Sequence, residues 1–200
     1  MTHSVAIIDS GGANIASVQV AFERLGLAAE LTRDPATIRA ADRVLLPGVG
    51  AARDSMDRLR EAGLIDVIRS LEQPVLGICL GMQLLAEGSE EDDTECLGII
   101  PAVARKLDAS VDAPVPNMGW CPAHHSSDHA ILEGIPDGAW FYFVHSFALP
   151  VGNYTLASAQ HSREFSAIVA HRNFVAAQFH PERSAKHGAR LIRNFVEGAL

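Results

Sequence analysis

Short unbroken apolar runs alternate, through the first half of the chain, with stretches whose apolar positions recur every three or four residues. Val5-Ala6-Ile7-Ile8 ends at Asp9 and predicts a strand buried on both faces. Asn14 is placed to cap a helix with apolar positions Ile15, Val18, Phe22 and Leu25, stopped by Gly26. Residues 28–31 and 44–46 predict the next strands, the second ending at Pro47-Gly48-Val49-Gly50. One helical pattern then runs through Met56, Leu59, Ile65 and Ile68, and Val75-Leu76-Gly77-Ile78 is another buried strand before a helix starting at Met82. Strand–helix alternation of this kind predicts a mostly parallel central sheet with helices on both faces, a three-layer α/β fold.

The pattern changes after Glu87. Residues 88–95 read as a polar loop, and short strands follow at 97–103, 140–144, 154–159, 168–170 and 174–179. Turn residues at Pro136-Asp137-Gly138, Gly152-Asn153 and Arg172-Asn173 give this half an antiparallel character. A last helix spans 185–196, and no repeat or linker interrupts the chain, so residues 1–200 are expected to form one domain.

Composition narrows the function classes. The 200 residues are 48% hydrophobic and 20% charged, with 16 Lys plus Arg against 24 Asp plus Glu, a formal net charge of −8. An acidic chain repels phosphate backbones, which argues against nucleic acid as partner. The longest apolar stretch is too short to span a bilayer, and no basic, apolar leader opens the chain, so no membrane partner is expected. Three cysteines, Cys79, Cys96 and Cys121, without a C-x-x-C pair, fit a reducing, cytoplasmic compartment. Cys121, His124, His125, Asp128 and His129 match no standard zinc spacing and read as a polar surface turn, so neither metal nor cofactor is expected.

Three local motifs carry chemistry. Gly77-Ile78-Cys79-Leu80-Gly81 ends a buried strand and opens a helix, with glycines where larger residues would collide in a strained nucleophile elbow. That geometry exposes the Cys79 sulfur and aims the Leu80 N–H at an anion formed there, near the positive end of a helix. Gln178-Phe179-His180-Pro181-Glu182 closes a second strand, with a carboxylate beside an imidazole as a triad requires. The Pro47-Gly48-Val49-Gly50 turn has a backbone able to point N–H groups toward an oxyanion. Taken singly, each has a bland alternative, a core cysteine, a solvated acid or a plain loop. Their combination in the order nucleophile, His, acid favours catalysis.

At these residues the chain resembles the class I (triad) glutamine amidotransferases, and among them the family of glutaminase subunits of imidazole glycerol phosphate synthases. The matching segments are PGVG at 47–50, GICLGMQLL at 77–85, VPNMGW at 115–120, YFVHSF at 142–147 and QFHPERS at 178–184. The resemblance implies a triad of Cys79, His180 and Glu182, and an oxyanion hole from Leu80 N–H with Val49 or Gly50 of the adjoining turn. It implies glutamine binding by Gly48, Gln83, Glu91, Tyr142, His145 and Ser146. Asn117, Met118, Gly119 and Trp120 would face a (β/α)8-barrel cyclase subunit in a heterodimer that uses the released ammonia in histidine biosynthesis. Departures from the family pattern are Asn117 where His is more usual, Cys121 for Asn, Phe147 for Tyr and Ala185 for Gly. Two competing readings remain: the glutaminase half of another amidotransferase, such as anthranilate synthase or a sugar-modifying paralogue, and a non-catalytic interaction subunit.

Overall fold

In a computed structural model, which describes residues 3–11 and 15–198, alternate residues of the same strands enter two different cores. Val5 and Ile7 of β1 (Val5–Ile8) pack with Ile15, Val18 and Phe22 of α1 (Ile15–Arg24) and Leu191, Ile192 and Phe195 of α6 (Ala185–Glu197). Ala6 and Ile8 point the other way. They pack with Ile38 of α2 (Pro35–Ala40), Met56 and Leu59 of α3 (Ala52–Glu61) and Val67 and Ile68 of α4 (Ile65–Arg69). A strand apolar on both pleat faces can be satisfied only by cover on both sides, hence the three layers.

Among the described residues nine strands form the main sheet, in the order β2-β1-β3-β4-β13-β12-β11-β8-β9. Here β2 is Glu30–Thr32, β3 Arg43–Gly48, β4 Val75–Cys79, β8 Asn117–His125, β9 Ala139–His145, β11 Thr155–Gln160, β12 Glu164–His171 and β13 Phe174–Ala177. Pairing is parallel from β2 through β13 and antiparallel from β13 to β9. A small second sheet, β10-β7-β5-β6, lies against the face of α3, α4 and α5 (Leu80–Leu84) and is made of β5 (Ala86–Ser89), β6 (Thr94–Glu95), β7 (Ile100–Lys106) and β10 (Phe147–Ala148). No helix among the described residues is long and apolar enough to cross a membrane.

The local differences from expectation have physical causes. The helical pattern at 56–68 is two helices, α3 and α4, broken where Gly63 takes φ +67°. α2 has only Ile38 buried and is too short to show periodicity; its signal is Asp34, whose carboxylate accepts from Thr37 N–H at 2.9 Å beside Pro35. The supposed polar loop at 88–95 holds parts of β5 and β6, paired through Gly88 and Glu95. The expected surface turn at 121–129 begins inside β8, whose Gly, Pro and His content hides a strand. The expected helix from Met82 is α5, Leu80–Leu84, which starts directly after Cys79. The proposed Asn14 cap lies outside the described residues.

Four fully buried rings, Phe141, Phe143, Phe165 and Phe179, lock β9 to the end of β13: Phe141 stacks on Phe179 at 3.9 Å and Phe143 meets Phe179 edge-on at 5.5 Å. The elbow is held as tightly. A Cβ on Gly81 would lie 1.9 Å from the Leu46 carbonyl oxygen of β3, a backbone atom that cannot move aside cheaply. Gly81→Ala is therefore expected to cost about 3 kcal/mol in urea unfolding; an unchanged midpoint would contradict the close approach of α5 to β3.

Candidate active site

Register, rather than proximity in sequence, assembles the site. β3 and β4 pair with Gly48 opposite Cys79, and β4 and β13 pair with Ile78 opposite Ala177. Three adjacent parallel strands thus end together, delivering the 48–50 turn, Cys79 and, three residues beyond Ala177, His180 to one rim. Crevices outside the carboxyl ends of parallel strands are where open α/β sheets bind ligands. A cleft of about 260 Å³ lies there, lined by Val49, Gly50, Cys79, Leu80, Gln83, Glu91, Pro116, Val144, His145, Ser146, Phe147 and His180.

Cys79 carries the strain of the elbow. Its φ of 53° with ψ −109° is a conformation that L residues avoid, held because α5 begins at the next residue. Leu80 is the first residue of that helix, so its N–H has no intrahelical acceptor and is free to serve an anion at the turn. Cys79 Sγ lies 3.6 Å from the Val144 carbonyl and 3.8 Å from Gln178 Nε2.

His180 leaves β13 with its backbone clipped in place. Its N–H donates to Tyr142 O at 2.9 Å, while Ser184 Oγ donates to His180 O at 2.7 Å and accepts from Tyr142 N at 2.9 Å. Its Nδ1–H donates to Glu182 Oε1 at 2.8 Å, with the Glu182 side chain only 1% exposed. That leaves Nε2 for the hydrogen bond to Cys79. Burial by itself pushes the imidazole down, but hydrogen bonds to Cys79 and Glu182 and the charges of both outweigh it, raising His180 to about 10. The imidazolium is the resting form at neutral pH, its proton facing the sulfur.

The turn opposite is anchored at both ends by side chains from elsewhere. Ser10 Oγ donates to Pro47 O at 2.7 Å, and Glu91 Oε2 accepts the Ala52 N–H at 2.7 Å, capping α3 where the Ala51 methyl offers no acceptor. One Glu91 oxygen is therefore committed to the fold. Gly50, at φ +96°, sits exposed between these anchors. Ser10 was not marked by the sequence, since a serine after a strand has no motif of its own.

The other expected site residues divide. Gln83, His145 and Ser146 line the cleft with Glu91. Both Gln83 amide hydrogens are used, on Phe147 O at 2.8 Å and Gln178 Oε1 at 3.0 Å, so toward a ligand it offers only its oxygen. His145 is buried; desolvation holds it down at about 4 against the pull of its bond to Phe147 O, so it is neutral. Gly48 is buried beneath the cleft, opposite Cys79. Tyr142 is not among the lining residues: its ring packs edge-on against Trp120 at 6.0 Å, on the outer face of β8 and β9.

That outer face is apolar. Met118 is 64% exposed, Trp120 46% and Trp140 55%, and the β8–β9 register puts Met118 beside Val144, Trp120 beside Tyr142 and Pro122 beside Trp140. Asn117 and Gly119 alternate with them, Asn117 turned inward and buried. Trp140 was missed as a surface residue, although Ala139, Phe141, Phe143 and His145 alternate with it as the buried set. Val144 belongs to both the apolar face and the cleft wall, so the two adjoin.

The family model for class-I glutamine amidotransferases matches residues 6–199, and the chain belongs to that family. Two relatives, each described as imidazole glycerol phosphate synthase subunit HisH, resemble it along nearly their whole length. The one from Xanthomonas axonopodis pv. citri (strain 306) is 51% identical over 193 residues, covering 96% of both chains. That of Vibrio cholerae serotype O1 is 49% identical over 203 residues, covering 98% of this chain and all of the relative. Solved structures share the fold at lower identity: a glutamine amidotransferase (TM-score 0.73, 21% identical, covering 96% and 97% of the two chains) and PurLQS from Thermotoga maritima (0.73, 16%, covering 98% of each).

The raised His180 value gives a signed expectation. A group whose pKa is raised on folding contributes stability that is full below its unfolded value of 6.5 and is lost as pH climbs toward about 10. The stability advantage of wild type over Glu182→Gln, from urea unfolding, should be largest near about pH 6 and shrink as pH rises. An advantage growing with pH would contradict the His180–Glu182 coupling.

Proposed function

We infer that this chain is the glutaminase subunit of an imidazole glycerol phosphate synthase, acting in histidine biosynthesis, and that residues 1–200 work as one amidotransferase domain. The observation that carries the reading is the elbow cysteine facing a carboxylate-backed imidazolium in a small cleft, in a chain about half identical to HisH subunits along its length. Cys79 Sγ, its proton held on His180, attacks the carboxamide carbon of glutamine. The carbonyl π electrons move to oxygen, and the oxyanion is received by Leu80 N–H and an N–H of the 48–50 turn, Val49 or Gly50. Each such donor contributes about 3–4 kcal/mol to a transition state of this kind. Collapse breaks the C–N bond while His180 gives its proton to the departing nitrogen, releasing ammonia and leaving a glutamyl thioester. Water, deprotonated by His180, then hydrolyses the thioester to glutamate. Glu182 keeps the imidazole oriented and its cation stabilised throughout.

Glutamine's α-ammonium is met by acceptors, the Gln83 oxygen and the uncommitted Glu91 oxygen, with Ser146 and His145 on the facing wall. Met118 and Trp120, with Gly119 between them and extended by Trp140 and Pro122, form the face on which a (β/α)8-barrel cyclase subunit docks as a heterodimer, while Asn117, expected to share it, is buried behind that face against His145. Supporting this is the adjacency of that apolar face to the cleft: ammonia leaving past Val144 would enter the partner without crossing solvent. The cyclase combines it with a phosphorylated ribulosyl nucleotide, giving imidazole glycerol phosphate and aminoimidazole carboxamide ribotide. The acidic substrate belongs to the partner, so this chain needs no basic patch. Free Cys79, Cys96 and Cys121 are in keeping with a cytoplasmic setting.

Cys79→Ala in the assembled complex should lower glutamine-dependent synthesis by about 1,000-fold or more. Synthesis from added ammonium salts should continue at the wild-type rate. Loss of both activities would assign Cys79 a structural role, and retention of both would remove it from the reaction.

A further inference from the structure

One backbone carbonyl sets the direction of a chain of buried amides that ends on the nucleophile. Phe147 O can only accept, and Gln83 Nε2 reaches it at 2.8 Å, so Gln83 cannot be turned over without bringing two oxygens together. Its amide nitrogen also reaches Gln178 at 3.0 Å, which obliges Gln178 to present its oxygen there. The remaining end of the Gln178 amide, its NH2, is thereby aimed at Cys79 Sγ, 3.8 Å away. Gln178 has no exposed surface and Gln83 is 4% exposed, so water does not compete for these bonds. The same carbonyl accepts the Nδ1–H of neutral His145 at 2.9 Å, which makes His145 Nε2 the acceptor for Asn117 Nδ2 at 3.0 Å. Phe147 O thus orients amides on both of its sides.

We propose that Gln178 is a further catalytic residue: its amide donates to the Cys79 sulfur and stabilises the thiolate, held in that orientation by Gln83 and the Phe147 carbonyl. The inference rests on Cys79 being the nucleophile. The sulfur faces one acceptor, Val144 O, which suits the thiol, and two donors, Gln178 Nε2 and His180, which suit the anion. The titratable groups around it are His180 backed by Glu182 at the end of β13, neutral His145 on β9, and Glu91 across the cleft. Of these only His180 favours the anion, so a neutral donor at the sulfur adds to it without a further buried charge. Gln83 gains a second task, since an amide spent on Gln178 and Phe147 keeps the nucleophile's donor in place.

The test is alkylation of Cys79 by iodoacetamide, followed by mass spectrometry in the intact chain without glutamine. Gln178→Met keeps the volume and removes the donor. Its alkylation rate on the acid limb of the pH profile, where Cys79 is mostly thiol, should fall about tenfold, the worth of one hydrogen bond to an anion, and should recover at higher pH. Mere loosening of the site would raise reactivity instead, so a folded Gln178→Met with a wild-type or faster rate overturns the proposal. Wild-type Cys79 reacting no faster than a peptide thiol would remove the nucleophile itself, and the proposal with it. Should Gln178→Met fail to fold, side-chain amide NMR of selectively glutamine-labelled wild type decides. The Gln178 NH2 resonances should shift when Cys79 is alkylated; unmoved resonances overturn the proposal.

Discussion

The parallel ladder joining β3, β4 and β13 is the constraint on which everything else at the rim depends. Hydrogen bonds that place Gly48 opposite Cys79 and Ile78 opposite Ala177 bring three chain segments, spread in sequence from residue 48 to residue 180, to a common end. A two-residue slip in either pairing would carry the 48–50 turn or His180 some 7 Å along the strand, beyond reach of the sulfur. The ladder is secured by burial on both pleat faces, where a one-residue slip would exchange the two cores. The strained φ of Cys79 is sustained by the same packing, since α5 can run where it does only because Gly81 lets it lie against Leu46.

Electrostatics then decides which protonation states this scaffold holds. Two imidazoles line one cleft and are driven in opposite directions. His180, against Cys79 and a buried carboxylate, is held charged; His145, desolvated and repelled by the His161 and His180 charges, is held uncharged. The first can move a proton at neutral pH, and the second can only orient its neighbours. The Phe147 carbonyl, lying between Gln83 and His145, couples the amides behind the nucleophile to Asn117 on the strand that carries the apolar face. The site and its docking surface are therefore continuous through hydrogen bonds as well as through Val144.

How much of this was legible in the sequence follows from the range of each interaction. β1, β3 and β4 were plain because strands buried on both faces leave unbroken apolar runs, and α6 because its apolar stripe is periodic. The elbow and the His-Pro-Glu segment were legible because their chemistry needs neighbours within a few residues. β8 was not, because a strand that shows tryptophan and methionine to the outside and carries Gly119 and Pro122 reverses the usual pattern. Ser10 on Pro47 O, Glu91 on Ala52 N–H and Gln178 on Cys79 were hidden for another reason. Each is a contact between distant segments that exists only once the register is set. Glu91 was marked as a residue, while its work as the cap of α3 was not; Tyr142 was marked for the cleft, and its ring lies instead on the outer face.

The account's central claim is that the sulfur at the end of β4 is the reacting atom toward glutamine. Its most direct measurement is mass spectrometry of the intact chain after exposure to a glutamine analogue with a diazoketone in place of the carboxamide. The account predicts a single adduct on Cys79, prevented by excess glutamine, with Cys96 and Cys121 unmodified. An adduct on either of those two, or none on Cys79, would contradict it.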